Sequence, residues 1–210
     1  MNGAATDQAA LEQGGQPASA VLSYDGLPPL IARALQFAAA ELAAGVSEVP
    51  LGSNRGPRVD VYLNNAHPVL RCFQRYIGNV CPVCKSRGDI LPGCRGAAWC
   101  AAFARWAYEA AAAELALLTP FAAANKACGS DLAGHYKWLD FAQAHKLLVK
   151  TPAPGDVGLL IPSPHAGHVV LVASVDGDSV ITIEGNHEDR VTSCRRPIAS
   201  ITHFVRVVPA

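Results

Sequence analysis

Gly96-Ala97-Ala98-Trp99-Cys100-Ala101-Ala102-Phe103 carries the chain from a glycine-led loop into a helix. Apolar spacing extends that helix from about Trp99 to Leu117 and puts Cys100, Phe103, Ala104, Ala107 and Ala111 on one side. Backbone N–H groups at a helix start lack partners and favour negative charge. A cysteine there has a depressed pKa and a sizeable thiolate fraction. Without a base in reach, Cys100 is one more small buried hydrophobe.

Upstream lie helices. Pro29 suits a first helical position, and Leu30, Ala34, Phe37, Ala38 and Leu42 form an apolar stripe that Gly45 ends. Residues 1–27 lack periodicity and read as a flexible tail or linker, leaving 28–210 as the folded domain. The turn-rich stretch from Glu48 leads into a short helix from Pro57 to Leu63 that buries Val59 and Leu63. Its polar residues, Asn54, Arg55, Arg58 and Asp60, either line a cleft together with Trp99 or brace their own loop.

Cys72, Cys81, Cys84 and Cys94 make residues 72–94 a Cys-rich insertion. Cys81-Pro82-Val83-Cys84 fits half of a tetrahedral thiolate zinc site, which the other two cysteines complete. The same four fit two disulfides, the reading slightly preferred, and a redox pair is a minor third. With Cys128 and Cys194 the chain has seven cysteines, so internal pairing leaves at least one thiol free. Cys128 and Cys194 are candidates to pair.

Downstream of the central helix, His135 and His145 sit in a short helical stretch and read as surface or packing residues. From Pro152 the texture changes to short strands with tight turns: Val157–Ile161, His168–Ser174, Asp178–Glu184, Arg190–Cys194 and Phe204–Val208. Helices first and an antiparallel sheet second make the fold class α+β. Period two puts His168, Val170 and Val172 on one face. A three-residue loop Val175-Asp176-Gly177, with Gly177 left-handed, pairs Ser174 with Asp178 and sets His168 opposite Glu184. A two-residue turn at Asp176-Gly177 sets Gly185 there instead. His168 follows as the base for Cys100, in preference to His165 in its loop, with Glu184 or Asn186 orienting the ring.

Half of the 210 residues are hydrophobic, and 17 basic residues balance 17 acidic ones. That balance argues against a nucleic-acid binder working through a general electrostatic field. No run of 18 apolar residues suggests a membrane span. The opening residues show no basic-then-apolar leader.

Gly52-Ser53-Asn54-Arg55-Gly56-Pro57, Trp99-Cys100-Ala101-Ala102-Phe103, Pro154-Gly155-Asp156, Gly167-His168-Val169 and Glu184-Gly185-Asn186 follow one another in an order that resembles the CHAP family. These are cysteine, histidine-dependent amidohydrolases and peptidases within the papain-like and NlpC/P60-like group. The resemblance implies a papain-like fold, Cys100 as nucleophile, His168 as base, and orienting roles for Glu184 and Asn186. It implies peptidoglycan or its stem peptides as substrate, and a cell-wall, periplasmic or secreted site of action. Catalysis of this kind needs no cofactor, with zinc at 72–94 only structural. A thiol peptidase of other peptides and a non-catalytic binding module are the competing readings.

Overall fold

The computed structural model describes residues 23–66, 73–74, 79–80, 96–118, 121, 132, 134–163 and 166–207. Cys72, Cys81, Cys84, Cys94, Cys128 and His165 lie outside the described residues, so the zinc and disulfide readings of 72–94 do too.

Four helices are described: α1 (Pro29–Ala43), α2 (Pro57–Ala66), α3 (Cys100–Glu114) and α4 (His135–Ala144). The strands are β1 (Phe73–Gln74), β2 (Asn79–Val80), β3 (Leu148–Val149), β4 (Val157–Ser163), β5 (Ala166–Asp176), β6 (Ser179–His187), β7 (Arg190–Pro197) and β8 (His203–Val205). β1 and β2 pair as a separate ribbon. The rest form one antiparallel six-stranded sheet in the order β3-β8-β4-β5-β6-β7. The helices come first in the chain and pack on this sheet, so the fold is α+β.

α3 lies at the centre, buried on most of its circumference between α1, α2 and the sheet. Its alanines allow that close approach, because Ala101, Ala102, Ala104, Ala107 and Ala111 carry little side chain to separate the layers. Tyr62 of α2 packs its ring 5.6 Å from Trp99, 5.3 Å from Phe103 and 4.9 Å from Trp106. Such aromatic pairs contribute about 0.5–1.5 kcal/mol each beyond area burial, and here they fix α2 against the first turns of α3. Across the sheet, Val169, Leu171 and Ile183 face this core, whereas Val170, Val172 and Val180 join a second cluster on the opposite face.

Several expectations need correction. On α1, Ala34 and Ala38 of the expected stripe are buried and Leu30, Phe37 and Leu42 pack against the core partly buried, but Ile31 and Leu35 beside them are buried as well. Glu41 is also buried there, because Arg58 and Tyr62 both donate hydrogen bonds to it. Tyr24 is buried beside Ile31 and Leu35, so the chain is already packed on α1 before residue 28. The β5–β6 hairpin closes on Gly177-Asp178, with Asp176 opposite Ser179. Gly177 is left-handed as expected (φ +58°), but at the first position of a two-residue turn. A bulge between Val172 and Ser174 then shifts the ladder so that Leu171 faces Ile183. Extended by one step, that register sets Glu184 opposite Val170, and His168 meets Glu184 diagonally rather than face to face.

Candidate active site

Cys100 is the first residue of α3 and is buried. Trp99, at φ −114° and ψ 9°, is the last non-helical residue and contributes no side-chain cap. The helix therefore presents its positive end directly to the thiol. Trp99 is itself fully buried and donates from its indole Nε1 to Glu48 Oε1 at 2.9 Å. It supports the floor beneath Cys100 instead of forming a cleft wall.

Two glycines let neighbouring segments close on this helix start. A Cβ at Gly185 would lie 2.6 Å from the Phe103 Cβ and 2.8 Å from the Trp99 ring. A Cβ at Gly96 would lie 2.1 Å from the Asn54 carbonyl oxygen. The strand carrying Glu184 and the loop carrying Asn54 thus both press against the residues around Cys100.

The His168 ring is the charged group that acts on the Cys100 thiol. They meet beyond Leu171–Ile183, the last paired position of β5 with β6. The His168 Nε2 lies 2.9 Å from Glu184 Oε2, which leaves Nδ1 as the ring nitrogen for the thiol. Burial on its own raises the Cys100 pKa. The His168 charge and hydrogen bond, with backbone N–H groups of Val169 and Ala101, outweigh burial and bring the thiol below its ordinary value. Burial likewise opposes a charged His168, yet Cys100 and Glu184 raise it to about 10. Both shifts run toward a thiolate–imidazolium pair.

Glu184 is fully buried, and four donors hold it. Arg196 donates from Nε to Oε1 at 2.5 Å and from its NH2 to Oε2 at 2.7 Å. Thr182 donates its hydroxyl to Oε1, and His168 takes Oε2. Burial favours the neutral acid, but Arg196 and His168 keep the carboxyl ionised, well below the usual carboxylate range. Arg196 sits opposite Val180, on the face that alternation gives to Glu184, and its long stem reaches along β7. The sequence reading missed Arg196, and it also missed Glu48. Glu48 is buried and accepts both from Trp99 and, at 2.7 Å, from the Asn54 backbone N–H.

Asn186 lies near the same corner at φ +59°, a conformation asparagine tolerates. Its Nδ2 donates to Asn54 Oδ1 at 3.2 Å, so its amide supports the Asn54 loop while the His168 Nε2 contact goes to Glu184. In that loop Arg55 makes a bidentate pair with Asp60, both contacts at 2.7 Å. Arg58 pairs with Glu41 and lies over the Tyr62 and Trp106 rings. These three charges brace the loop and α2. The Pro154-Gly155-Asp156 turn is structural too: Tyr108 of α3 donates to the Gly155 carbonyl, and Arg206 clamps Asp156 with two contacts of 2.9 Å. His135 packs under Gly167, and His145 lies against Phe141.

A second free thiol lies behind the carboxylate. The Cys194 Sγ is 3.8 Å from His187 Nδ1 and 3.8 Å from the Thr192 hydroxyl. The expected pairing of Cys194 with Cys128 is therefore not made.

A thiolate beside a charged imidazole, fixed in turn by an ionised buried carboxylate, is the arrangement that cysteine, histidine-dependent amidohydrolases and peptidases use. In agreement, residues 93–186 match the family model described as the CHAP domain. That span takes in Cys100, His168, Glu184 and Asn186, while Glu48 and Arg196 lie on either side of it. No curated protein and no solved structure matches the chain.

Proposed function

We propose that this protein hydrolyses amide bonds of peptidoglycan, as an amidase or an endopeptidase, through a thioester on Cys100. The supporting observation is Cys100 beside His168, whose ring is hydrogen-bonded to a Glu184 carboxylate that Arg196 clamps. The thiolate attacks the amide carbon and a tetrahedral oxyanion forms. Collapse breaks the C–N bond as the His168 imidazolium gives its proton to the departing amine. Water then adds to the thioester with His168 as base, and collapse expels the Cys100 thiolate beside the re-formed His168 imidazolium, the released carboxylic acid giving its proton to solvent. Every step uses groups of this chain and water.

The Cys100 backbone N–H at the helix start is suited to hold the oxyanion. Asn54 is the loop residue best placed to help. Its backbone is held by Glu48 and its Oδ1 by Asn186, which leaves its own Nδ2 to donate to substrate. The murein assignment rests on the family. It puts the site of action at the cell wall, with stem peptides as the partner that enters the cleft. No described helix is long and apolar enough to cross a membrane.

The test is incubation with purified peptidoglycan and identification of soluble products by mass spectrometry, with Cys100→Ala as control. Free lactyl termini beside new L-alanine amino groups identify an amidase, and cross-bridge or stem fragments identify an endopeptidase. The cell-wall assignment fails if several murein chemotypes stay intact while the wild type, but not Cys100→Ala, cuts an unrelated peptide library.

A further inference from the structure

The mechanism above leaves Cys194 and His187 without a task, although both adjoin its carboxylate. Cys194 is buried at the centre of β7, opposite Thr182. A second register shift, between Glu184 and His187, brings His187 over it. One ligand atom each from Glu184, His187 and Cys194 falls within 4.8 Å of the other two. The 3.8 Å between Cys194 Sγ and His187 Nδ1 is close to the tetrahedral edge of about 3.6 Å that Zn–S near 2.3 Å and Zn–N near 2.0–2.1 Å produce. His187, Thr192 and Cys194 also line a surface cleft of about 580 Å³, which gives an ion a route from solvent.

We propose that Glu184, His187 and Cys194 form an inhibitory site for a thiophilic divalent cation, Zn²⁺ foremost, with water as fourth ligand. Thiolate, imidazole and carboxylate together are a donor set suited to zinc. Binding exchanges the Cys194 thiol proton, released to solvent, for the metal. The two ligand charges then cancel those of the ion.

Coupling to the active site follows from the lone pairs of Glu184. An ionised carboxylate offers about four acceptor positions. Thr182, His168 and the two Arg196 contacts occupy them. A cation on Glu184 must displace one donor. Arg196 holds by two charge-assisted bonds, Thr182 and His168 by one each, and the bound cation repels the imidazolium but not the neutral hydroxyl, so His168 is the partner released. Its ring then loses the contact that orients it toward Cys100.

The test uses the full chain with zinc alone as the probe, so it does not depend on which bond the enzyme cuts. Zinc content after loading and desalting should be higher by one equivalent in the wild type than in either Cys194→Ala or His187→Gln. The His187→Gln change, at a half-buried position, keeps the comparison valid if Cys194→Ala folds poorly. Alkylation of Cys100 by iodoacetamide, followed by peptide mapping, should slow several-fold on zinc addition in the wild type and recover with chelator. In both variants zinc should leave that rate unchanged. Equal zinc content in all three proteins overturns the site. Equal slowing in all three places the ion on Cys100 itself and overturns it as well. Extra zinc in the wild type without slowing overturns the coupling.

Discussion

Cys100 and Cys194 are both buried, both free and both beside a histidine, with Glu184 adjacent to each pair, yet their chemistry is opposite. Cys100 starts a helix, with the backbone N–H groups of Val169 and Ala101 and the His168 ring acting on its thiol, and its pKa falls. Cys194 lies in the middle of the edge strand β7, away from the described helix starts. Burial, followed by the charge of Glu184, raises its pKa, so it stays a protonated thiol. Proximity to histidine does not make a nucleophile. The sign of the surrounding charge does: His168 stands between Cys100 and the carboxylate, whereas at Cys194 the Arg196 charge does not offset burial and Glu184.

The largest expected effect comes from removing each thiol in turn. Cys100→Ala should lower amide hydrolysis by on the order of 10⁴- to 10⁶-fold while keeping the fold, as deletion of a nucleophile does elsewhere. Cys194→Ala, assayed without metal, should stay within about threefold of the parent, since it touches neither substrate nor the reacting atoms. Comparable losses in steady-state turnover would erase the distinction between the two thiols.

Next in size is the clamp that makes Glu184 useful to His168. Arg196→Met should leave a buried carboxylate without its strongest partner, at a cost of about 3–5 kcal/mol in stability by denaturant unfolding. Turnover should fall by about 10- to 100-fold, with kcat affected more than KM, as when an outer partner of a catalytic group is lost. Arg196→Lys should rescue only part of this, because a single ammonium cannot span both oxygens. Unchanged kcat in a folded Arg196→Met protein would show that Glu184 needs no clamp.

The smallest effect is a displacement along the pH axis. Cys100 should react with iodoacetamide at pH values below the usual thiol range near 8.5, because its pKa is lowered. Cys194 should react only above that range. The acidic limb of the activity profile marks protonation of the Cys100 thiolate, and the basic limb, near 10, marks loss of the His168 proton. Stability responds to Glu184 in the opposite direction. Its folded pKa is depressed, so its contribution is complete above the unfolded value of about 4.3 and drains away as pH falls below it. Alkylation of both thiols over one pH range would remove the electrostatic contrast.

The order of helices before strands, the helix start at Cys100 and the identities of His168 and Glu184 were all legible in the sequence. Each depends on local periodicity or on a short motif, and those are properties of neighbouring residues. The left-handed Gly177 belongs to the same group, because a glycine beside two aspartates marks a turn whatever lies across the sheet. Tertiary structure alone decided how the hairpin meets. The two-residue turn and the bulge at Ala173 together replaced a facing His168–Glu184 pair with a diagonal one, and a bulge leaves no periodic trace because it is an exception to the period. Arg196, twelve residues beyond Glu184, and Glu48, fifty-one residues before Trp99, came into view only in three dimensions. A charge in a strand or loop reads as solvent-facing until the fold removes the water around it, and a buried carboxylate then requires a partner that its sequence neighbours cannot supply.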